Sequence, residues 1–242
     1  MGLTAQSVRM DSLIDIYEIE KSEKQYIVAL AGNPNTGKST VFNYLTGLNQ
    51  HTGNWPGKTV VSARGEFKYK NNEYIMVDLP GSYSLFTASK DEEVTRDFLC
   101  YGNYDAVVVV ADATCLERNL NLAFQISEIT NNVILCINLI DEAKKKNITI
   151  DSHGLEKELN IPIVLTSARN GYGMNELKKL IEKIAQDKIN EEDKNSLLYF
   201  QQDAELREKI SEQNYNYANE LKQKYVKEDI KKLNRDKKID DI

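Results

Sequence analysis

The chain has 242 residues, 41% of them apolar and 28% charged, with a formal net charge of −6, so it holds one good-sized core plus an appendage. The acidic balance argues against a basic face that grips nucleic acid. Two histidines and three scattered cysteines (Cys100, Cys115, Cys136) with no C-x-x-C pair argue against a zinc or iron–sulfur centre.

Residues 1–25 lack a sustained period and read as a leader, with a short helix expected around 11–19. An apolar run at 26–31 predicts the first strand, which leads into GNPNTGKST at 32–40 and a helix at 41–46. Residues 47–59, rich in Gly, Asn and Thr around Trp55-Pro56, are expected to form a long irregular segment, with Trp55 on a mobile loop that reports its state. Alternation over 59–69 and the run at 74–77 predict a hairpin turning at Asn71-Asn72. A polar stretch at 82–90 and a helix at 91–100 follow.

Residues 106–111 are continuously apolar and mostly β-branched, the pattern of a strand buried on both faces. A helix over 116–129, a strand at 133–137, a helix around 155–159, a strand at 163–165 and an amphipathic helix after Gly173 complete the alternation. Strands alternating with helices imply right-handed crossovers and a mostly parallel sheet flanked by helices, with ligands at the strand C-termini. From about Asp187 valine nearly vanishes and charges of both signs intersperse, which predicts two or three helices in a small appended unit. The expected division is a leader at 1–25, an α/β domain at 26–186 and an all-helical domain at 187–242. The apolar runs are far too short to cross a membrane, and no basic-then-apolar start is present, so the chain is expected to be soluble and cytoplasmic.

The chemistry concentrates at strand ends. Gly32, Gly37, Lys38 and Ser39 fit the phosphate-loop pattern G-x-x-x-x-G-K-[ST]. Its glycines let backbone N–H groups wrap a phosphate at a helix N-terminus, so Asn35, Thr36, Gly37, Lys38, Ser39 and Thr40 form the nucleotide-binding stretch. Lys38 would reach the outer phosphates and the Ser39 hydroxyl would bind Mg2+. Asp78 and Gly81 form D-x-x-G, with Asp78 holding Mg2+ through water and the Gly81 N–H on the γ-phosphate; Thr59 would complete the Mg2+ shell.

Asn138 and Asp141 form N-x-x-D, and base choice falls to Asp141, whose carboxylate can accept from guanine's N1–H and amine. Adenine offers no such donor pair and would leave a carboxylate unpaired. Ser167-Ala168 would present the Ala168 N–H to the guanine carbonyl. In this order, the motifs predict a Ras-like P-loop GTPase that takes GTP and GDP. Leu139 stands where many GTPases have lysine, which predicts weaker nucleotide retention with guanine preference kept.

The stretches GNPNTGKSTVFNYLTG, GNWPGKTV, VDLPGSYSL, DATCLERNLNLAFQ and NLIDEA resemble the cytosolic GTPase domain of the bacterial ferrous iron transport protein B family, over most of residues 1–188. The resemblance implies a helical domain likened to a dissociation inhibitor after the GTPase, then a membrane domain as partner at the inner face of the cell membrane. A homo-oligomer is compatible with it, and no nucleic acid partner is expected. Ras-like enzymes place a water-orienting glutamine after D-x-x-G, where this chain has Ser82. By resemblance to potassium-activated GTPases, Asn35 would instead coordinate K+, with backbone groups at 54–57 completing its cage. One alternative is a free-standing potassium-activated GTPase acting on RNA or ribosomes. A second is a regulatory nucleotide-binding module with negligible catalysis.

Overall fold

A computed structural model describes residues 19–47, 50–55, 61–86, 89–187 and 203–228. Its frame is built by runs of apolar residues that bury both faces of a strand. In β1 (Gln25–Gly32), β5 (Ala106–Asp112) and β6 (Val133–Asn138), residues 27–32, 106–111 and 133–138 are all buried. Successive side chains of a strand point to opposite faces, so each run feeds two cores. Ile27, Ala29, Val107 and Val109 pack on one side with Phe98 and Leu120. Val28, Leu30, Val108 and Val110 pack on the other with Phe42 and Leu177. Each large side chain buried in this way contributes about 2 kcal/mol of transfer free energy.

The covering helices are α1 (Lys38–Thr46), α2 (Lys90–Tyr101), α3 (Leu116–Ser127), α4 (Ile140–Lys145), α5 (Ser152–Leu159) and α6 (Met174–Asp187). With β2 (Gln50–Asn54), β3 (Val61–Tyr69), β4 (Asn72–Asp78) and β8 (Ile163–Leu165), the central sheet runs β2-β3-β4-β1-β5-β6-β8. The pairs β1–β4, β1–β5, β5–β6 and β6–β8 are parallel, and β2–β3 and β3–β4 are antiparallel. Parallel strands place their C-termini on one rim, and the predicted motif residues at the ends of β1, β4, β6 and β8 gather there.

Two expectations shift. Residues 50–54, expected to be irregular, form β2, paired with β3 from Gln50↔Gly65 to Asn54↔Val61. Main-chain hydrogen bonds hold that pair, and side-chain patterning does not report them. The β3–β4 hairpin turns at Lys70-Asn71, because Tyr69 pairs with Asn72 and Lys70 takes the left-handed conformation (φ 54°).

Trp55 corrects a third expectation. It is 1% exposed, packs against Phe98 with ring centroids 5.3 Å apart, and lies under the Arg64 guanidinium at 6.0 Å. It is a packing anchor between the end of β2 and α2.

Among the described residues the polar C-terminal part contains the helix α7 (Ala204–Tyr225); the rest of the expected helical unit lies outside them. Asp203 caps α7 by accepting from the Leu206 N–H at 2.9 Å. The helix is docked on the core: Ala218 and Leu221 are buried, and Tyr217 packs on Phe124 of α3 at 5.4 Å. It leads into β9 (Val226–Glu228), which pairs antiparallel with β7 (Ile148–Ile150) in a separate two-stranded sheet. At the other end, the Asn103 side chain holds both the N–H and the carbonyl of Ile19 (2.8 and 2.9 Å). Asp105 binds Lys21 at 2.6 Å and the Ile27 N–H at 2.8 Å. The helix expected at 11–19 lies, apart from Ile19, outside the described residues. Among those residues no helix is long and apolar enough to cross a membrane.

Candidate functional site

The phosphate loop starts where β1 ends, and two glycines shape it by close approach. A Cβ on Gly32 would meet the Val110 carbonyl of β5 at 2.6 Å. Gly37 sits in the left-handed region (φ 80°), and a Cβ there would run into the Asn138 amide. Gly37 also caps α1 without any side-chain hydrogen bond, and the first turn of α1 carries no acidic residue. The positive end of the helix dipole therefore faces the loop, with no acidic side chain of its own first turn to offset it. Ser39 and Thr40 are exposed on that first turn, and Asn35 is exposed with φ 67°. Thr36 turns inward: it is 2% exposed and donates to the Asn33 carbonyl at 3.0 Å. It can offer a ligand its backbone only.

The D-x-x-G segment lies directly against this loop. The Leu79 N–H donates to the Leu30 carbonyl at 3.0 Å and the Ser82 N–H to the Gly32 carbonyl at 3.2 Å. Gly81 rests on Pro34, where a Cβ would come within 3.3 Å of the proline ring. Lys38 Nζ forms an ion pair with Asp78 Oδ1 at 2.5 Å. Burial pushes the Asp78 carboxyl above its usual range, outweighing the neighbouring ammonium. The Ser39 hydroxyl and the Asp78 carboxylate are hard oxygen donors of the kind Mg2+ prefers, so this corner fits that ion.

Ser82 does not replace the absent glutamine. It is 1% exposed, and its hydroxyl lies 3.1 Å from both the Pro80 carbonyl and Thr95 Oγ1. Thr59 and the backbone at 56–57 lie outside the described residues.

The second half of the site is built around Asn138, which is 1% exposed. Its Nδ2 donates to the Thr36 carbonyl at 3.1 Å. Its Oδ1 accepts from the Ala168 N–H at 3.0 Å and from the Thr166 hydroxyl at 3.1 Å. Asn138 is thus a brace between the phosphate loop and the loop after β8. The Ala168 N–H, expected to meet a base carbonyl, already has a partner, and a bound base would share or replace it. Asp141 Oδ1 accepts from the Ser167 hydroxyl at 2.8 Å, and that bond holds its carboxyl below the usual range. An ionised, half-exposed carboxylate on the first turn of α4 is an acceptor for two N–H donors on one edge of a base. Leu139 takes the left-handed conformation (φ 64°) just before that helix.

The thiols stand apart from this chemistry. Burial pushes Cys100 and Cys136 up to about 12 and also raises Cys115, so none is a thiolate near neutral pH. Four polar positions escaped sequence reasoning: Asn33, which donates to the Arg118 carbonyl at 3.2 Å, Thr166, Asn121 and Gln125. A signal existed only for Gln125, an amide on the apolar stripe of α3 that is fully buried.

Phosphate chemistry at the end of β1 and a base reader between β6 and β8, joined by one buried asparagine, define a P-loop G domain. The model of the ferrous iron transport protein B family matches residues 26–181, and the chain belongs to that family. The Fe(2+) transporter FeoB of Escherichia coli K12 is 39% identical over 164 residues, 66% of this chain and 21% of that protein. The crystal structure of the G domain of the T. maritima FeoB iron transporter is 47% identical with a TM-score of 0.64, covering 67% of this chain and 99% of that one. The cytosolic domain of the same transporter, in a GDP form and a GMPPNP form, is 32% identical with a TM-score of 0.76, covering 84% of this chain and 100% of the other. The chain spans about a fifth of the length of the curated relatives it matches. Membership displaces the free-standing RNA- or ribosome-directed reading.

Proposed function

We propose that the chain binds GTP with Mg2+, hydrolyses it slowly with stimulation by K+, and relays its nucleotide state to the helical part at 187–242. The observation that carries this reading is the Lys38–Asp78 ion pair on the same rim as the Asp141–Ser167 pair. The GDP and GMPPNP forms of the T. maritima cytosolic domain support it. When nucleotide enters, Lys38 exchanges its carboxylate partner for phosphate oxygens. Ser39, Thr59 and Asp78 (through water) would hold Mg2+, which would supply positive charge to the phosphates. The Gly81 N–H meets the γ-phosphate, Asp141 reads the base, and the Ala168 N–H turns to the base carbonyl.

Phosphoryl transfer needs positive charge on the developing oxygens. With the Ser82 hydroxyl turned inward, that charge would come from Lys38 and from a K+ that Asn35 and backbone at 54–57 would hold. Two segments, about 49–59 and 81–91, follow the γ-phosphate and carry its state outward. In the longer family protein the partner is a membrane domain that moves ferrous iron, with this chain at its cytoplasmic face.

Single-turnover GTP hydrolysis in KCl and in NaCl tests the reading. The rate is expected to rise markedly in KCl, and Asn35→Ala is expected to remove the difference. Equal rates in both salts would sink the K+ role, and no turnover in either would favour the non-catalytic module.

A further inference from the structure

Helix α3 touches both the segment that follows D-x-x-G and helix α7. On one side, Gln125 is fully buried and its Oε1 accepts from the Leu85 N–H at 2.6 Å; its amide also lies 3.0 Å from Ser84 Oγ. On the other, Phe124 packs on Tyr217 and Glu117 lies 3.5 Å from Lys222. Among these contacts Asn121 belongs to both sides. Its Nδ2 donates to the Tyr83 carbonyl at 3.2 Å, while its Oδ1 accepts from Asn214 Nδ2 of α7 at 3.2 Å. Tyr83 follows Ser82, whose N–H is bonded to Gly32 of the phosphate loop. A shift of that segment moves the acceptor of one Asn121 bond, and the other bond transmits the strain to α7.

We propose that Asn121 is the positioning residue that ties the segment after D-x-x-G to helix α7, so that nucleotide state and the seating of α7 bias one another. The proposal rests on the nucleotide relay above and deepens it by naming the connection. One planar amide carries both bonds, with Gln125 Nε2 also 3.5 Å from its Oδ1, so a rotation that follows Tyr83 turns the acceptor away from Asn214. Coupling of this kind is reciprocal: what GTP does to α7, α7 does to GTP affinity. The contacts of Phe124 and Glu117 join α7 to α3 without the Asn121–Tyr83 bond.

Hydrogen exchange of the backbone amides at 204–225, measured on the 242-residue chain with GDP and with GMPPNP, tests the proposal. In the wild type the two nucleotides are expected to give different protection. Asn121→Asp keeps the acceptor for Asn214 but sets a carboxylate oxygen against the Tyr83 carbonyl, and it is expected to abolish the difference. Phe124→Ala, which weakens packing alone, is expected to raise exchange in both states and preserve the difference. An Asn121→Asp protein that keeps the wild-type difference would overturn the assignment, including when exchange rises equally in both states. A wild type that binds both nucleotides with identical protection of α7 would overturn the relay itself.

Discussion

Asn138 Nδ2 donates to the Thr36 carbonyl at 3.1 Å, across 102 positions of sequence, and this bond joins the phosphate loop to the base-reading loop. Because Asn138 also accepts from Ala168 and Thr166, its removal takes this partner from the buried Ala168 N–H and the Thr36 carbonyl and leaves Thr166 only Cys136. Asn138→Ala is expected to cost about 2 kcal/mol or more of stability and to weaken GDP and GTP binding together. Thermal unfolding and nucleotide titration check this; unchanged affinity for both nucleotides would refute the bracing role.

The Asp141–Ser167 contact predicts a pH dependence. The Ser167 hydroxyl lowers the Asp141 pKa, so the carboxylate persists, and base binding with it, as pH falls into the ordinary carboxylate range. Binding is lost only as pH passes below the lowered value. Ser167→Ala raises that value and moves the loss of GDP affinity to higher pH, while affinity at neutral pH falls less. Superimposable pH profiles of GDP affinity for the two proteins would contradict this.

Trp55 is the single tryptophan of the chain and lies in the core against Phe98. Its fluorescence is expected at short wavelength and to resist quenching by acrylamide. Trp55→Ala is expected to destabilise the chain by about 4 kcal/mol, and Trp55→Phe by much less. An exposed emission spectrum in the folded protein would restore the mobile-loop reading.

What the sequence made legible was local. Lys38, Asp78 and Asp141 stand at fixed spacings beside apolar strands, so the motifs carried their own context. The continuous apolar run at 106–111 likewise announced a strand buried on both faces. Long-range partners were not legible. Nothing near Asn138 foretells that Thr36 and Ala168 consume its hydrogen bonds, which make it a brace between two loops. Glycine and asparagine hid β2, because QHTGN has none of the apolar alternation by which a strand is read from sequence. The polar composition beyond Asp187 suggested a small appended unit of helices and gave no docking face for it. Yet Ala218, Leu221 and the β7–β9 pairing, visible only once the chain is folded, dock α7 on α3. Trp55 was misjudged because a glycine-rich neighbourhood says little about which side chain turns inward.

Asp141 provides the most direct test of the guanine assignment. Guanine presents an N1–H and an exocyclic amine to its carboxylate; xanthine presents a carbonyl in place of the amine. In competition for bound GDP, the wild type is expected to accept GTP, to ignore ATP and to bind xanthosine diphosphate weakly. Asp141→Asn offers an amide donor at that position and is expected to lose GDP affinity while gaining affinity for xanthosine diphosphate. Displacement of GDP by ATP as readily as by GTP, with no change of base preference in Asp141→Asn, would contradict the account.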